Sequence, residues 1–293
     1  MEDLTARTFA QTIGAEESAR LAFAPALCGV LSWNTHAPRG LLSFRLLRGE
    51  SAGDWLEHAR WDETGAESLS PHSGDARAEV DVIRSDRPFD GIEVRASGVR
   101  FELVAFCAPK RAAPSLPYAR DALILDVPAR SQYAPDWPRG WCSPASLAMI
   151  QSFHGIDVPV EALAREVFDR AYDGTGNWSF NVACAGRYGL RGVVAHLRNL
   201  DQALSLVERN LPIAISYSWD EGELSGAPLP RSDGHLAVLC GFTAGGDCAL
   251  NDPAAPNVRV VYPRASLERL WQRAGGVAYV IAPAGIEYAS LLQ

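Results

Sequence analysis

The pattern of hydrophobic residues changes near residue 110, and this change most constrains the fold. Before it, short apolar runs such as "GVLSW" and "GIEVRAS" recur between Gly, Pro, Asp and Ser residues. In the second run Ile92, Val94 and Ala96 alternate with polar residues, which is the period of a half-buried β-strand. Five or more such runs at close spacing predict an antiparallel β-sandwich or jelly roll over residues 1–110.

The second half of the chain follows a different pattern. The segment "APKRAAPSLPYARD", residues 108–121, is rich in Ala and Pro and has little periodicity, which predicts a linker over residues 111–120. Beyond it, predicted helices come first and strands later. This order indicates an α+β domain over residues 121–293, with helices packed on a mostly antiparallel sheet. A chain of 293 residues is long enough for two such domains.

Composition excludes several classes of protein. The formal net charge of −8 argues against a dedicated nucleic-acid binder, which would show a basic face. No segment approaches the ~20 uncharged apolar residues of a membrane span. The acidic start "MEDLTARTFA" lacks the apolar stretch of a secretory signal. We therefore expect a soluble, cytoplasmic protein without a nucleic-acid partner, and its oligomeric state stays open.

The six cysteines are too sparse for a disulfide scaffold, and none forms a C-x-x-C pair typical of structural zinc. Most are expected to be free thiols packed as small apolar residues. They are Cys28, Cys107, Cys142, Cys184, Cys240 and Cys248.

Cys142 stands out among them by its position in "RGWCSPASLAMI", residues 139–150. Pro144 follows closely, and proline is favoured in the first turn of a helix. Unpaired N–H groups and the helix dipole stabilise an anion at such a helix start, which favours a reactive thiolate. A small apolar residue could stand there by chance. A nucleophile therefore has to be supported by a base and an orienting group.

His235 is the best candidate for the base. It opens the apolar strand "HLAVLCGF" directly after the polar segment "RSDG". His154 ends the predicted helix of Cys142, too far along the axis at about 1.5 Å per residue, and His196 ends a short strand. Three others are expected to be solvated on or beside loops of the β-rich half: His36, His58 and His72.

Asp252 is the candidate orienting residue. It follows the next predicted strand and could accept a hydrogen bond from the second imidazole nitrogen of His235. A hairpin turning at Gly245-Gly246 would place Asp252 opposite Leu239, on the face of His235 but about four residues out of step. The alternative is that Asn251-Asp252-Pro253 is only turn chemistry.

Four segments together resemble the papain-like cysteine peptidases, most closely the bacteriocin-processing (double-glycine leader) peptidase family and its stand-alone relatives. They are "SQYAPDWPRGWCSPAS", "GNWSFNVA", "SDGHLAVLCGF" and "NDPAAP", over roughly residues 120–282. The resemblance implies a papain-like fold with Cys142 as nucleophile, His235 as base and Asp252 as orienting residue. It also implies that the side-chain amide of Gln132 and the backbone N–H of Cys142 form the oxyanion hole.

Two features depart from the family pattern. Ser143 stands where glycine is common. Gln132 lies ten positions before Cys142, so the loop "YAPDWPRGW" would have to fold back to present it.

The implied function is a cysteine peptidase, or thiol hydrolase, that cleaves a peptide or protein substrate through a thioester and needs no metal or organic cofactor. Acyl transfer through the same thioester is one alternative. A catalytically silent peptide- or glycan-binding module is another. Trp141 and Trp178 are candidate substrate contacts, although packing would also explain an aromatic residue beside a helix. Trp55, Ala59 and Trp61 share one parity and could line a sugar-binding face, but core packing is the simpler explanation.

Overall fold

The computed structural model describes residues 17–133 and 141–286, together with the backbone of residues 4–8. Its described residues form two compact units. The first draws on Met1–Pro109, Arg165–Val194 and Pro283–Gln293, and the second on Lys110–Ala164 and Ala195–Ala282.

The described part of the first unit contains a single antiparallel sheet of ten strands. They are β1 (Leu4–Thr8), β2 (Ser18–Asn34), β3 (Gly40–Arg48), β4 (Ser51–Ala52), β5 (Leu56–Asp62), β6 (Gly65–Ser68), β7 (His72–Ser73), β8 (Ala76–Glu79), β9 (Val82–Ala96) and β10 (Leu103–Cys107). The main path runs β1-β10-β2-β9-β3-β5-β6, while β4 pairs with β3 and β8 pairs with β7 and β9. The segments of alternating residues that were predicted to be strands in this half do form strands.

Two helices contribute residues to this unit. They are α2 (Val160–Glu166), in which the chain passes from the second unit to the first, and α3 (Trp178–Arg187), which packs on β2. The buried ring of Phe180 lies edge-on to Trp33 at 6.0 Å between centroids. Asn177 caps α3, because its side chain accepts the Phe180 N–H at 3.1 Å. The hydroxyl of Ser179, in the first turn of α3, donates to the Leu31 carbonyl.

A β-bulge corrects the predicted faces of β5. Leu42 pairs with Ala59 and Ser43 with Glu57, so His58 is an extra residue that reverses the alternation. Ala59 and Trp61 consequently lie in the core, whereas Trp55 lies half-exposed beneath the Arg45 and Arg95 guanidinium groups. The three residues therefore share no single face, and packing explains two of them.

His58 itself is buried, contrary to the expectation of a solvated residue. Its ring lies edge-on to Trp33 and Phe44, at 6.1 and 5.6 Å between centroids. Burial lowers the pKa of His58 to about 4, so the ring is neutral near pH 7.

A buried carboxylate lies at the start of α3 in the same unit. Asp81, between β8 and β9, accepts the Trp178 N–H at 2.7 Å. Burial raises the pKa of Asp81 to about 7, and the negative charge of Asp169 adds to the rise. Asp169 is buried too, and it accepts from the Asn177 amide and the Ser68 N–H.

The second unit combines helices with an antiparallel sheet. Its helices are α1 (Cys142–Phe153), α4 (Leu200–Val207) and α5 (Arg264–Arg273), and β12 (Leu190–His196) brings the chain back from the first unit. Its strands are β11 (Leu123–Ile124), β13 (Ile213–Trp219), β14 (Ser232–Phe242), β15 (Cys248–Asn251), β16 (Arg259–Tyr262) and β17 (Val277–Pro283). They are ordered β17-β13-β14-β15-β16, with β11 on β14. The strands β13 and β14 form the centre against which α1 and α4 pack, so the start of α1 meets the start of β14.

No helix in the described part of the chain is long and apolar enough to cross a membrane.

Candidate active site

Cys142 is the first residue of α1, as the proline in its first turn predicts. The carbonyl of Trp141 accepts the Ala145 N–H at 2.9 Å, and no side chain caps the helix. The half-buried Cys142 side chain lies at the start of this helix, where the backbone N–H groups of Ser143 and Leu236 help to lower the pKa of its thiol.

The Cys142 thiol also lies close enough to the His235 ring for each group to shift the pKa of the other. His235 lies on β14, whose Leu236 carbonyl accepts from the Ser146 hydroxyl of α1 at 3.3 Å. That contact holds the helix start beside the strand. The packing of α1 on β14 thus joins the two residues, which are far apart in the sequence.

His235 is bound on its other side by Asp252. Its Nε2 lies 2.8 Å from the Oδ1 of Asp252, and both side chains are buried. Because Nε2 is taken, Nδ1 is the ring nitrogen that faces Cys142. The ring is enclosed edge-on by Tyr217 and Trp219, at 5.6 and 5.5 Å between centroids.

The predicted register of this hairpin is wrong in one respect. Leu239 lies opposite Leu250 rather than opposite Asp252. The turn between Phe242 and Cys248 and an extra residue at Cys240 each shift the register by one position. Continuing this register puts Asp252 opposite Ala237, on the face of His235, so the mismatch between the two residues is two positions rather than four.

Two tyrosines also contact the Asp252 carboxylate, and neither stands out in the sequence as a candidate site residue. The hydroxyls of Tyr217 on β13 and Tyr262 on β16 donate to Oδ2 at 3.2 and 2.7 Å. The Ala254 N–H donates to Oδ1 at 3.0 Å. Both tyrosines are fully buried in strands whose composition indicates only core packing, so no local signal could have identified them.

The three groups shift one another's pKa in the directions expected for an ion pair. Burial alone would raise the pKa of the Cys142 thiol, but the hydrogen bond and positive charge of His235 lower it. Burial would lower the pKa of His235, yet Asp252 and Cys142 raise it well above its ordinary value. Burial would raise the pKa of Asp252, and the hydrogen bond from His235 lowers it. All three shifts therefore favour the thiolate–imidazolium form of the pair over the neutral thiol and imidazole.

The other cysteines differ sharply from Cys142. Burial raises the pKa of Cys240 to about 11 and that of Cys248 to about 12, and it raises the pKa of Cys184 further. These thiols are protonated at neutral pH and unreactive. Cys28, by contrast, is half-buried and offers an accessible thiol for comparison.

The backbone of Gln132 is hydrogen-bonded to the segment after Asp252 and to the segment before Cys142. Its N–H donates to the carbonyl of Pro253, the residue after Asp252, at 3.0 Å. Its carbonyl accepts the N–H of Trp141, the residue before Cys142, at 3.4 Å. The side chain is buried, and its Oε1 has no hydrogen-bond partner among the described residues. Most of the loop expected to fold back, residues 134–140, lies outside the described residues.

The two predicted substrate contacts have different surroundings. Trp141 is buried at the start of α1, next to Cys142 in the chain. Trp178 opens α3 in the first unit, where its N–H is held by Asp81. The Trp178 side chain is only partly buried, and substrate contact by either residue remains a prediction.

No other histidine meets Cys142 in the described part of the chain. His154 follows the last turn of α1, and His196 is bound through Nδ1 to the Gly275 carbonyl at 2.7 Å. The described residues also contain no cluster of three or more His, Cys, Asp or Glu side chains arranged to hold a metal ion.

Comparison with known proteins agrees with this geometry. The model of the Peptidase_C39 like family matches residues 124–279, more than half of the chain. No curated protein sequence matches the chain significantly.

Two solved structures show similarity. One is described as a C39-like peptidase from Bacillus anthracis: it is 20% identical, has a TM-score of 0.45, and the alignment covers 56% of this chain and 98% of that one. The other is a double glycine motif protease from an AMS/PCAT transporter in complex with the leader peptide: it is 21% identical, has a TM-score of 0.37, and the alignment covers 58% of this chain and 100% of that one.

The family match spans Cys142, His235 and Asp252 and confirms the resemblance to papain-like cysteine peptidases that the sequence motifs predict. The chain belongs to the Peptidase_C39-like family of cysteine peptidases.

Proposed function

We propose that this protein is an active cysteine peptidase whose catalytic residues are Cys142, His235 and Asp252. The observation that carries the proposal is the 2.8 Å hydrogen bond between the His235 ring and the buried Asp252 carboxylate, with the Cys142 thiol close enough to the same ring for each to shift the other's pKa. A thiol needs a base within hydrogen-bond reach, and the base needs an orienting group. Both conditions are met by these three residues.

In the proposed reaction, the Cys142 thiolate attacks the carbonyl carbon of the scissile amide and forms a C–S bond. The His235 imidazolium gives its proton to the leaving amine nitrogen as the C–N bond breaks, which leaves a thioester. His235 then takes a proton from water, whose oxygen attacks the thioester. The carboxylic acid product departs, and the sulfur regains the thiolate form.

Charge that develops on the carbonyl oxygen needs hydrogen-bond donors. We assign this role to the Gln132 side-chain amide and the Cys142 backbone N–H, the latter at the start of α1. Each such donor is typically worth about 3–4 kcal/mol of transition-state stabilisation. The backbone bonds of Gln132 to Pro253 and Trp141 support the assignment, because they tether it beside both Asp252 and Cys142.

The β-rich segment 1–110 is proposed to be an accessory domain, built on its single antiparallel sheet rather than on the two sheets of a sandwich. It would help to position a peptide or protein substrate and is joined through the linker 111–120 to the peptidase domain 121–293. Its sheet has its own buried aromatic core. The residues 165–194 join the same compact unit, so α3 would belong to the accessory surface.

Limited alkylation with iodoacetamide tests the proposal without a known substrate. We expect Cys142 to be modified first near pH 6, with Cys28 as the half-buried internal control. Peptide mapping by mass spectrometry identifies the adducts. Equal modification of Cys142 and Cys28 at that pH would refute an activated thiolate.

A peptide library then tests hydrolysis. We expect wild-type protein to release new peptide termini and Cys142→Ala to release none, with a thermal melt confirming that the variant is folded. The same assay with added amine acceptors tests for acyl transfer. If the products are amides of the added amine rather than free carboxylic acids, the protein is an acyltransferase and not a hydrolase.

A further inference from the structure

The Asp252 carboxylate has an unusually complete set of hydrogen bonds. An ionised carboxylate offers about four acceptor positions. Oδ1 accepts from His235 and from the Ala254 N–H, at 2.8 and 3.0 Å, and Oδ2 accepts from Tyr217 and Tyr262, at 3.2 and 2.7 Å. Every acceptor position therefore faces a donor, and the residue is fully buried.

This arrangement disfavours the neutral carboxylic acid. A protonated Asp252 would have to donate its own hydrogen into a shell of donors, so at least one of the four bonds would be lost or reversed. An unmade hydrogen bond costs most in a buried site. The two tyrosines supply half of this shell.

The tyrosines also fix which oxygen faces His235. Tyr217 reaches Oδ2 from β13 and Tyr262 reaches it from β16, on opposite sides of the β14–β15 hairpin. With Oδ2 held from both sides, Oδ1 is turned toward the imidazole. Tyr217 lies directly opposite His235 in the sheet register, so its position is set by the same strand pairing.

We propose that Tyr217 and Tyr262 are positioning residues that keep Asp252 ionised and directed at His235, and thereby extend the reactivity of Cys142 to lower pH. The inference rests on the proposed function of the three residues. The titratable groups that face Asp252 are His235 and the two tyrosines, and Cys142 lies close enough to Tyr217 to raise the pKa of its hydroxyl. Arg259, the charged residue of β16, is bound to the Asn251 side chain instead.

The experiment measures the rate of Cys142 alkylation by iodoacetamide as a function of pH in the full-length protein. We expect the acid limb of the profile to move upward by about one pH unit or more in Tyr217→Phe/Tyr262→Phe, since a hydrogen bond to a charged group is worth at least one unit. Tyr262→Phe alone should shift it more than Tyr217→Phe alone, because its bond is shorter. These single variants decide the matter if the double variant does not fold.

Tyr279→Phe is the matched control. It removes a buried tyrosine hydroxyl from the same sheet, one bonded to Ser143 at 2.8 Å rather than to Asp252. We expect it to lower the melting temperature but to leave the acid limb in place. If Tyr217 and Tyr262 have a purely structural role, their variants should also melt at a lower temperature without a shift of the acid limb. Such an unshifted acid limb would overturn the proposal.

The wild-type profile separates this failure from that of the proposed function. If wild-type Cys142 reacts only as pH approaches the ordinary thiol range, the protein has no activated thiolate. Both proposals then fall. If wild-type Cys142 reacts at low pH and the tyrosine variants do so equally, only the role of the tyrosines falls.

Discussion

Substitutions of Asp252 test whether its carboxylate orients His235 for catalysis or only stabilises the turn after β15. In Asp252→Asn, the amide oxygen can still accept from His235, and the amide nitrogen would face the hydroxyls of Tyr217 and Tyr262, which can accept as well as donate. The fold should therefore survive. The imidazolium loses its negative partner, and we expect peptide hydrolysis to fall on the order of ten- to a hundredfold, the size of an effect on an orienting group.

Asp252→Ala should cost more, for a reason that the contacts make explicit. The His235–Asp252 bond is charge-assisted and worth about 1.5–3 kcal/mol, or about 10- to 150-fold in rate. The ring is also left free to rotate, so we expect a loss of more than about a hundredfold. Four buried donors lose their acceptor at once, and a destabilisation of about 3–5 kcal/mol should accompany the loss.

The assay compares hydrolysis of a library-derived peptide by wild type, Asp252→Asn and Asp252→Ala, with thermal melts to correct for unfolded protein. Asp233→Asn serves as the control, because it removes an exposed carboxylate only two residues from His235. It should retain wild-type activity. Wild-type rates in folded Asp252→Ala would show that Asp252 is turn chemistry and that catalysis needs only Cys142 and His235.

Three further predictions concern other parts of the molecule. Because the folded-state pKa of Asp81 is raised from 3.8 to about 7, its contribution to wild-type stability should be fully present below pH 4 and lost as pH rises through 7. Asp81→Asn should avoid this fall and gain up to roughly 4 kcal/mol over wild type at pH 8 in urea unfolding, and parallel pH dependence of the two proteins would contradict the reasoning. Gly241→Ala should destabilise the protein by more than about 2 kcal/mol in the same assay, since its Cβ would lie 1.9 Å from the Leu123 carbonyl oxygen. Gln132→Ala should lower kcat about 100- to 1000-fold with little change in KM, and an unchanged kcat would remove Gln132 from the oxyanion hole.

Local patterns in the sequence were sufficient to predict several elements of the site. Pro144 near a first turn predicts a helix that begins directly after Cys142, and α1 begins one residue earlier, at Cys142 itself. The polar residue before an apolar run predicts His235 at the start of a buried strand, where it lies. Such features depend on backbone preferences within a few residues, which the sequence records directly. The order of the motifs then supports the family.

Other parts of the site depend on contacts between distant segments. The extra residue at Cys240 leaves no mark in the hydrophobic pattern, yet it places Asp252 on the same face of the sheet as His235. The bulge at His58 likewise reverses a face of β5 and buries a residue expected in solvent. A bulge is stabilised by strand pairing and packing on both sides, so alternation along one strand cannot reveal it.

Residue type and position along the chain are enough to identify the groups that can do the chemistry. They are a thiol at the start of a helix, an imidazole before an apolar strand segment and a carboxylate after the following strand. The surroundings of these three groups depend on the tertiary structure. Tyr217 and Tyr262 are ordinary aromatic residues of two separate strands until the sheet brings both hydroxyls to one oxygen of Asp252. Propensity and periodicity act over a few residues, whereas the charge state of a buried carboxylate depends on every donor that the fold places around it.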